Sequence, residues 1–373
     1  MGRLRRRAFW PKLDVPLTLG RPMSPRYRLL IAASLLVIVP GVLGYLWHEP
    51  SAPAPSVPPH SYHQALRQAH QGQAGAARVL YQQLQRTDLA PERRAALLAE
   101  LPHYPSPQAL KLAQDALEND DPGVRRAGIL SVRGLLSDAQ RSLVLGPLLD
   151  DDEQSVRFAA VDALLGLAPD DIGVYFGPLQ EVLERYQEVL EQQPEQPAAQ
   201  VHLARLYLHE RAFEAAAKAL DRALAQDPEN LDALILHVRL LEEQGEHDAS
   251  RRILAEALVR HPKAAVLQYE LGRWLRRHDQ DEYALLAFAR AVELGPRTAD
   301  YRYALATTLH RLDQVEAAQK QLETLVDQQP ANRKARVLLI QYWKETGQLQ
   351  NVQVLLAQLE QQNPDDPLVQ QGL

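Results

Sequence analysis

Six prolines, Pro194, Pro228, Pro262, Pro296, Pro330 and Pro364, stand 34 residues apart without a slip. Proline has no amide hydrogen to donate and restricts the residue before it, so each one ends a helix. Between consecutive prolines there is room for two amphipathic helices and the turns that join them. Such units cover their apolar faces only by stacking on neighbours, so the chain must form an array rather than one core. Composition agrees: aromatic residues are 6% and no strings of alternating Val, Ile and Thr appear, so almost no β-sheet is expected.

The apolar residues inside each unit recur in the same register. In the third unit Leu271, Gly272 and Leu275 occupy one helix, Ala284 stands where two helices would cross, and Phe288, Ala291 and Pro296 follow. Leu203, Ala204, Tyr207, Ala216, Leu220 and Ala223 repeat the pattern in the first unit, and Leu305, Ala306, Leu309, Ala318, Leu322 and Leu325 in the fourth. This stretch resembles the tetratricopeptide repeat family, whose unit is a helix, a turn and a helix. The resemblance implies five repeats over residues 195–364. His237, Ser250, Ile340 and Val352 depart from the pattern and are expected to loosen packing locally or to mark the capping end.

Upstream, a period of 32 residues links Asp88, Asp120 and Asp152, and likewise Arg93, Arg125 and Arg157. The segments DDPGVRRAGILSVRGL and DDEQSVRFAAVDALLGL resemble HEAT repeats of the short bacterial type, which implies a structural ladder of aspartates and arginines. HEAT-like units are expected over 61–170, a longer connecting helix from Asp171 to Gln193 within 171–194, and a tail over 365–373. The order of HEAT and tetratricopeptide units is similar to the C-terminal repeat half of bacterial multihaem cytochrome c proteins. With no cysteine, however, the chain has no haem-attachment motif, thiolate metal site or cysteine nucleophile.

The N-terminal part reads as an anchor. Leu29 to Trp47 carries no charged residue, and 19 helical residues rise about 28 Å, close to the thickness of a bilayer's hydrocarbon. Eight basic residues against Asp14 precede it, which orients the tail 1–28 to the cytoplasm. A cleaved signal peptide is disfavoured because Pro55 follows the small residues Ala52 to Ala54. Translation from Met1 or Met23 leaves this reading unchanged. The Pro-rich segment 48–60 is expected to be a semi-rigid spacer. The expected architecture is therefore all-α: a right-handed solenoid of HEAT-like units and five tetratricopeptide repeats behind one transmembrane helix (29–47), in the bacterial inner membrane with the repeats in the periplasm.

The first helix of each tetratricopeptide unit should line a groove, and groove-facing residues then recur every 34 positions. One row holds Arg205, Arg239 and Arg273; a second holds His209, Arg277 and Arg311; Tyr269, Arg276, Tyr303 and His310 lie nearby. Guanidinium groups bind carboxylates bidentately, so an acidic segment or free C-terminus of a partner protein or peptide is the expected ligand. Alternatively these arginines are solvated or paired to Glu242, Glu243 and Glu270. Nucleic acid is not an expected partner, because with the basic N-terminus set aside the rest of the chain is more acidic than the formal total of −6. No HExxH, GxSxG or phosphate-binding glycine loop is present, and His48, His60, His63 and His70 lack carboxylate support for a metal. The chain thus reads as an interaction scaffold with no cofactor and no enzymatic activity. A chaperone of cytochrome c biogenesis and a non-catalytic subunit of a respiratory envelope complex are the rival readings.

Overall fold

Helix starts in this chain are set by two devices. Proline opens several helices at the first position, where its missing N–H costs nothing, as at Pro107, Pro122 and Pro197. Elsewhere a side chain caps the first turn: Asn230 and Asn332 accept from the amides of Ala233 and Ala335, as Ser106 and Asp121 do for Ala109 and Val124. A computed structural model describes residues 61–371, all helix and connecting turns. The helices are α1 (Tyr62–His70), α2 (Ala76–Leu84), α3 (Pro91–Leu98), α4 (Pro107–Asp115), α5 (Pro122–Leu135), α6 (Asp138–Leu145), α7 (Gln154–Leu164), α8 (Pro169–Ile172) and α9 (Phe176–Glu191). Five helix pairs follow: α10 (Pro197–His209) with α11 (Phe213–Gln226), α12 (Leu231–Glu243) with α13 (His247–Arg260), α14 (Ala265–Arg277) with α15 (Asp281–Leu294), α16 (Ala299–Arg311) with α17 (Val315–Gln328), and α18 (Arg333–Glu345) with α19 (Leu349–Gln362). A short α20 (Pro367–Gln370) closes the described chain. Among the described residues no helix is long and apolar enough to cross a membrane. The expected span Leu29–Trp47 lies outside the described residues.

Equivalent helices in the five pairs begin 34 residues apart, and the phased prolines from Pro228 to Pro364 each sit two residues beyond a helix end, as Pro228 follows Gln226, with Pro194 three beyond Glu191. The turn inside each pair passes through a left-handed residue at the same period: Arg211, Gly245, Asp279, Asp313 and Gly347, with φ between 55° and 78°. Where the two helices of a pair cross, Ala216, Ser250, Ala284 and Ala318 are fully buried. Gly272 shows how volumes are traded at that crossing. A Cβ there would lie 2.6 Å from the Phe288 ring, so the third pair matches no side chain on one helix with a phenyl ring on the other.

Three departures from the repeat pattern behave differently from expectation. Ser250 does not loosen its crossing; it is buried and hydrogen-bonded to Glu242 and Trp274. Ile340 and Val352 are each 2% exposed and simply fill the core. His237 stands where the other units place Leu203, Leu271, Leu305 and Leu339, and burial, opposed by Asp221, pulls its imidazole pKa below the usual value. The unfolded chain therefore binds a proton more readily, and the stability tied to neutral His237 is present above about pH 6.5 and lost as pH falls through the lower folded-state pKa. His237→Leu should raise stability by about 1 kcal/mol and reduce the fall in unfolding midpoint between pH 7 and 5. An unchanged pH slope in urea titrations would contradict that assignment.

In the HEAT-like part the expected ladder of aspartates and arginines is reduced to one side-chain rung among the described residues, the other arginines binding carbonyls or a ring. Arg125 forms a two-pronged pair with Asp151 (2.9 and 2.8 Å), not Asp152, and also donates to the carbonyls of Asn119 and Asp120. Arg157 donates to the carbonyls of Asp151 and Asp152. In the first copy Arg94, not Arg93, reaches the preceding loop, at the carbonyls of Leu84 and Arg86, while Arg93 lies over the Tyr62 ring. Asp88 pairs locally with Arg86. Each arginine thus ties a helix to the loop before it, satisfying carbonyls that α-helix ends leave open. The helix expected from Asp171 begins instead at Phe176, because Gly173 (φ 60°, ψ −126°) breaks the run after α8. The expected tail is docked: Asp366, 1% exposed, caps α20 and holds Arg333 at 2.7 and 2.9 Å.

Residues His60–Leu373 form one unit, and its two ends meet. The Gly75 amide donates to the Gln361 carbonyl (2.7 Å), and Asn363 Nδ2 donates to the Pro105 carbonyl (2.8 Å). Gly72, at φ +57°, lies so close to the Pro330–Ala331 backbone that a Cβ would be 2.7 Å from it. Ala331 is buried in the same apolar cluster as Ala69, Ala76 and Leu80. Burial pushes the nearby Tyr81 phenol up to about 12, with a Ser106 hydrogen bond opposing the shift and Asp365 and Asp366 of the docked tail adding to it. Apolar packing is not uniform along the way. One cluster runs from the N-terminal helices to Leu240, a second from Ala284 to Leu359, and between them lies a third with six buried members, among them Leu254, Leu267 and Trp274.

Candidate functional site

The first helices of the first three tandem pairs, α10, α12 and α14, bring Arg205, Arg239, Arg273 and Arg277 around one cavity of about 180 Å³. They converge because each helix presents the same face 34 residues after the last. Ile235, Leu236, Val238 and Trp274 supply apolar wall, and Asp232 and Glu270 supply two carboxylates. Arg239 is paired to Glu243 (3.1 Å) and Arg273 to Glu270 (3.0 Å), so the pairing expected as an alternative holds for these two. Arg205 and Arg277 are exposed and make no ion pair among the described residues. The cavity thus offers two free guanidinium groups beside an indole.

The remaining residues expected to line the groove are placed elsewhere and hold repeat to repeat. Arg311 is bound to Asp281 (2.9 Å), and His310 to Glu345 (2.6 Å) while stacked on Tyr342. Arg276 lies over the Phe288 ring and reaches Thr307; Tyr269 packs on Phe288 and Tyr301; Tyr303 lies under the Lys334 ammonium. Their partners sit on the facing helix or a neighbouring unit, which consumes the groups that would otherwise face a ligand. His209 is exposed at the end of α10, and desolvation, with Arg239 adding and Glu210 opposing, lowers its pKa.

Sequence reasoning missed what stands behind the cavity wall. The Glu242 carboxylate, its side chain 6% exposed, accepts from Trp274 Nε1 (2.8 Å) and from Ser250 Oγ, and its two oxygens lie 3.3 Å from His247 Nδ1 and 2.9 Å from His278 Nε2. Burial alone raises the pKa of such a group, but these four hydrogen bonds outweigh it and hold the carboxyl below its usual range. The His278 ring also packs on the indole at 4.1 Å between centroids. Trp274 is thereby fixed in orientation, one edge in the cavity and its N–H anchored. The available signal was Ser250 in a row of alanines, a polar residue that a buried crossing admits only with partners.

Comparison with known proteins follows the same division. Residues 77–165 match a model of HEAT repeats, and residues 181–230 and 208–269 match two models of the tetratricopeptide repeat. The chain therefore carries both kinds of repeat, and the tetratricopeptide match takes in most of α9, expected only as a connector. No curated protein matches the sequence. Among solved structures the chain is similar to YrrB, a tetratricopeptide-repeat protein with an unusual peptide-binding site (20% identity, 51% of this chain and 97% of that one, TM-score 0.35). It is also similar to yeast Tom70 (15%, 86% and 64%, TM-score 0.47) and to TTC0263, a tetratricopeptide-repeat protein of Thermus thermophilus (19%, 55% and 98%, TM-score 0.39).

Proposed function

We propose that this chain of HEAT and tetratricopeptide repeats, a protein-interaction scaffold, holds an acidic segment or free carboxyl terminus of a partner in the cavity between α10, α12 and α14. The observation that carries the reading is the pair of exposed guanidinium groups, Arg205 and Arg277, which form no ion pair among the described residues and line the same cavity as the anchored indole of Trp274. A carboxylate satisfies guanidinium donors bidentately, and an adjacent apolar side chain of the ligand covers Trp274 and Ile235. A repeat fold of this kind is typically a non-catalytic scaffold. The anchor belongs to the same proposal: the uncharged run Leu29–Trp47 behind a basic tail would hold the repeats at the periplasmic face of a bacterial inner membrane.

The test is fluorescence anisotropy with a labelled Asp/Glu-rich peptide bearing a free C-terminus, against its Asn/Gln counterpart. The acidic peptide should bind and weaken with salt, and Arg205→Ala with Arg277→Ala should cost at least about tenfold in affinity. Both arginines are exposed, so the variant should keep its helical circular dichroism. Equal binding of the two peptides, or equal affinity of the double variant, refutes the groove assignment. Topology is tested separately: a reporter active only in the periplasm, fused after residue 60, should lose activity when Leu29–Trp47 is deleted. Activity without that segment would overturn the anchor.

A further inference from the structure

We infer that Glu242, His247 and His278 form a binding site for a single divalent transition-metal ion of the zinc type. They are the one group among the described residues in which at least three His or acidic side chains converge, their ligand atoms all within 4.8 Å of one another. The separations from the carboxylate oxygens to His247 Nδ1 and His278 Nε2 are 3.3 and 2.9 Å. Ligands of a tetrahedral zinc ion, at bonds of about 2.0–2.2 Å, are about 3.3–3.5 Å apart, so closing the set around an ion takes side-chain adjustments of about an ångström, which the half-exposed His247 has room to make. Two imidazole nitrogens and one carboxylate oxygen favour zinc over calcium or magnesium, which take oxygen ligands.

The surroundings are those of a built site. Trp274 N–H and Ser250 O–H both donate to Glu242 Oε1 and fix the carboxylate, the role played by supporting hydrogen bonds around metal ligands, while Oε2, facing His278, stays open to the ion. His247 is about half exposed and gives the ion a way in, whereas Glu242 and His278 are largely enclosed. Other histidine–carboxylate pairs, such as His202 with Asp162, His261 with Glu229 and His310 with Glu345, contain one imidazole each and cannot chelate in this way. Binding replaces a proton at each facing nitrogen. A neutral imidazole shifts its proton to the opposite ring nitrogen, and an imidazolium releases one to solvent.

The ligands come from α12, from the start of α13 and from the turn after α14. An ion here pins two successive repeats together where the apolar cluster is smallest, directly behind Trp274. The three ligands are not cavity residues, although Trp274 touches both the cavity and Glu242.

The test uses the full chain in detergent, freed of metal by chelator and titrated with Zn²⁺ by calorimetry, with Co²⁺ as a spectroscopic substitute. The expected result is one ion per chain, visible Co²⁺ bands of four-coordinate geometry and a higher unfolding temperature with Zn²⁺. His247→Ala, an exposed position that leaves the fold intact, should lower affinity at least about tenfold and abolish the thermal shift, as should His278→Gln. Ser250→Ala keeps all three ligands and should retain one-to-one binding. Absence of one-to-one binding to the native chain overturns the inference, as does unchanged affinity in His247→Ala, which would mark adventitious surface binding.

Discussion

Trp274→Ala should lower stability by about 3–5 kcal/mol, the range for truncating a buried large aromatic side chain. The cost has two parts. Removing the indole empties the centre of the six-member apolar cluster between the second and third tandem repeats. It also takes one hydrogen-bond donor from Glu242 and from Ser250, both enclosed. Trp274→Phe separates the parts: it keeps most of the volume and should cost about 1–3 kcal/mol for the lost donor. Because repeat arrays are stabilised by nearest-neighbour interfaces, weakening this one should split a single urea transition into two. A single transition shifted by under about 1 kcal/mol would show that the indole is not central to the junction.

Gly72→Val should cost about 2–4 kcal/mol and should open the contact between the chain's ends. A branched residue is strained at φ +57°, and its Cβ would collide with the Pro330 carbonyl group rather than with a movable side chain. The neighbouring hydrogen bonds, Gly75 to Gln361 and Asn363 to Pro105, are then lost together. Hydrogen exchange should accelerate in α1, α2 and α19 while α15 keeps its protection. Uniform acceleration would mean that the substitution unfolds the chain globally; no acceleration would mean that the ends do not meet.

The periodic part of the fold was legible because one physical rule repeats. Proline cannot continue a helix, so the spacing of Pro194 to Pro364 fixes where pairs of helices end, and the start of each first helix from Pro197 to Arg333 follows. Legibility failed where partners are far apart in sequence. Ser250 reads as a packing defect until Glu242 and Trp274, 8 and 24 residues away, are seen around it. The groove rows were legible as a face, since Arg205, Arg239 and Arg273 do converge. Which arginines stay free was not, because Asp281 claims Arg311 from 30 residues away. The break at Gly173 depends on a backbone angle that the surrounding apolar pattern conceals.

The meeting of Gly72 with Pro330 also bears on how the array can change over evolution. An open solenoid tolerates duplication or deletion of a unit, because it only becomes longer or shorter. Here each added or removed 34-residue unit would rotate the last pair away from α1, leaving Asn363 without Pro105 and exposing Ala331. The number of repeats is therefore quantised, as the number of blades is in a propeller, and loops at the pair junctions are where length can vary without breaking the cycle.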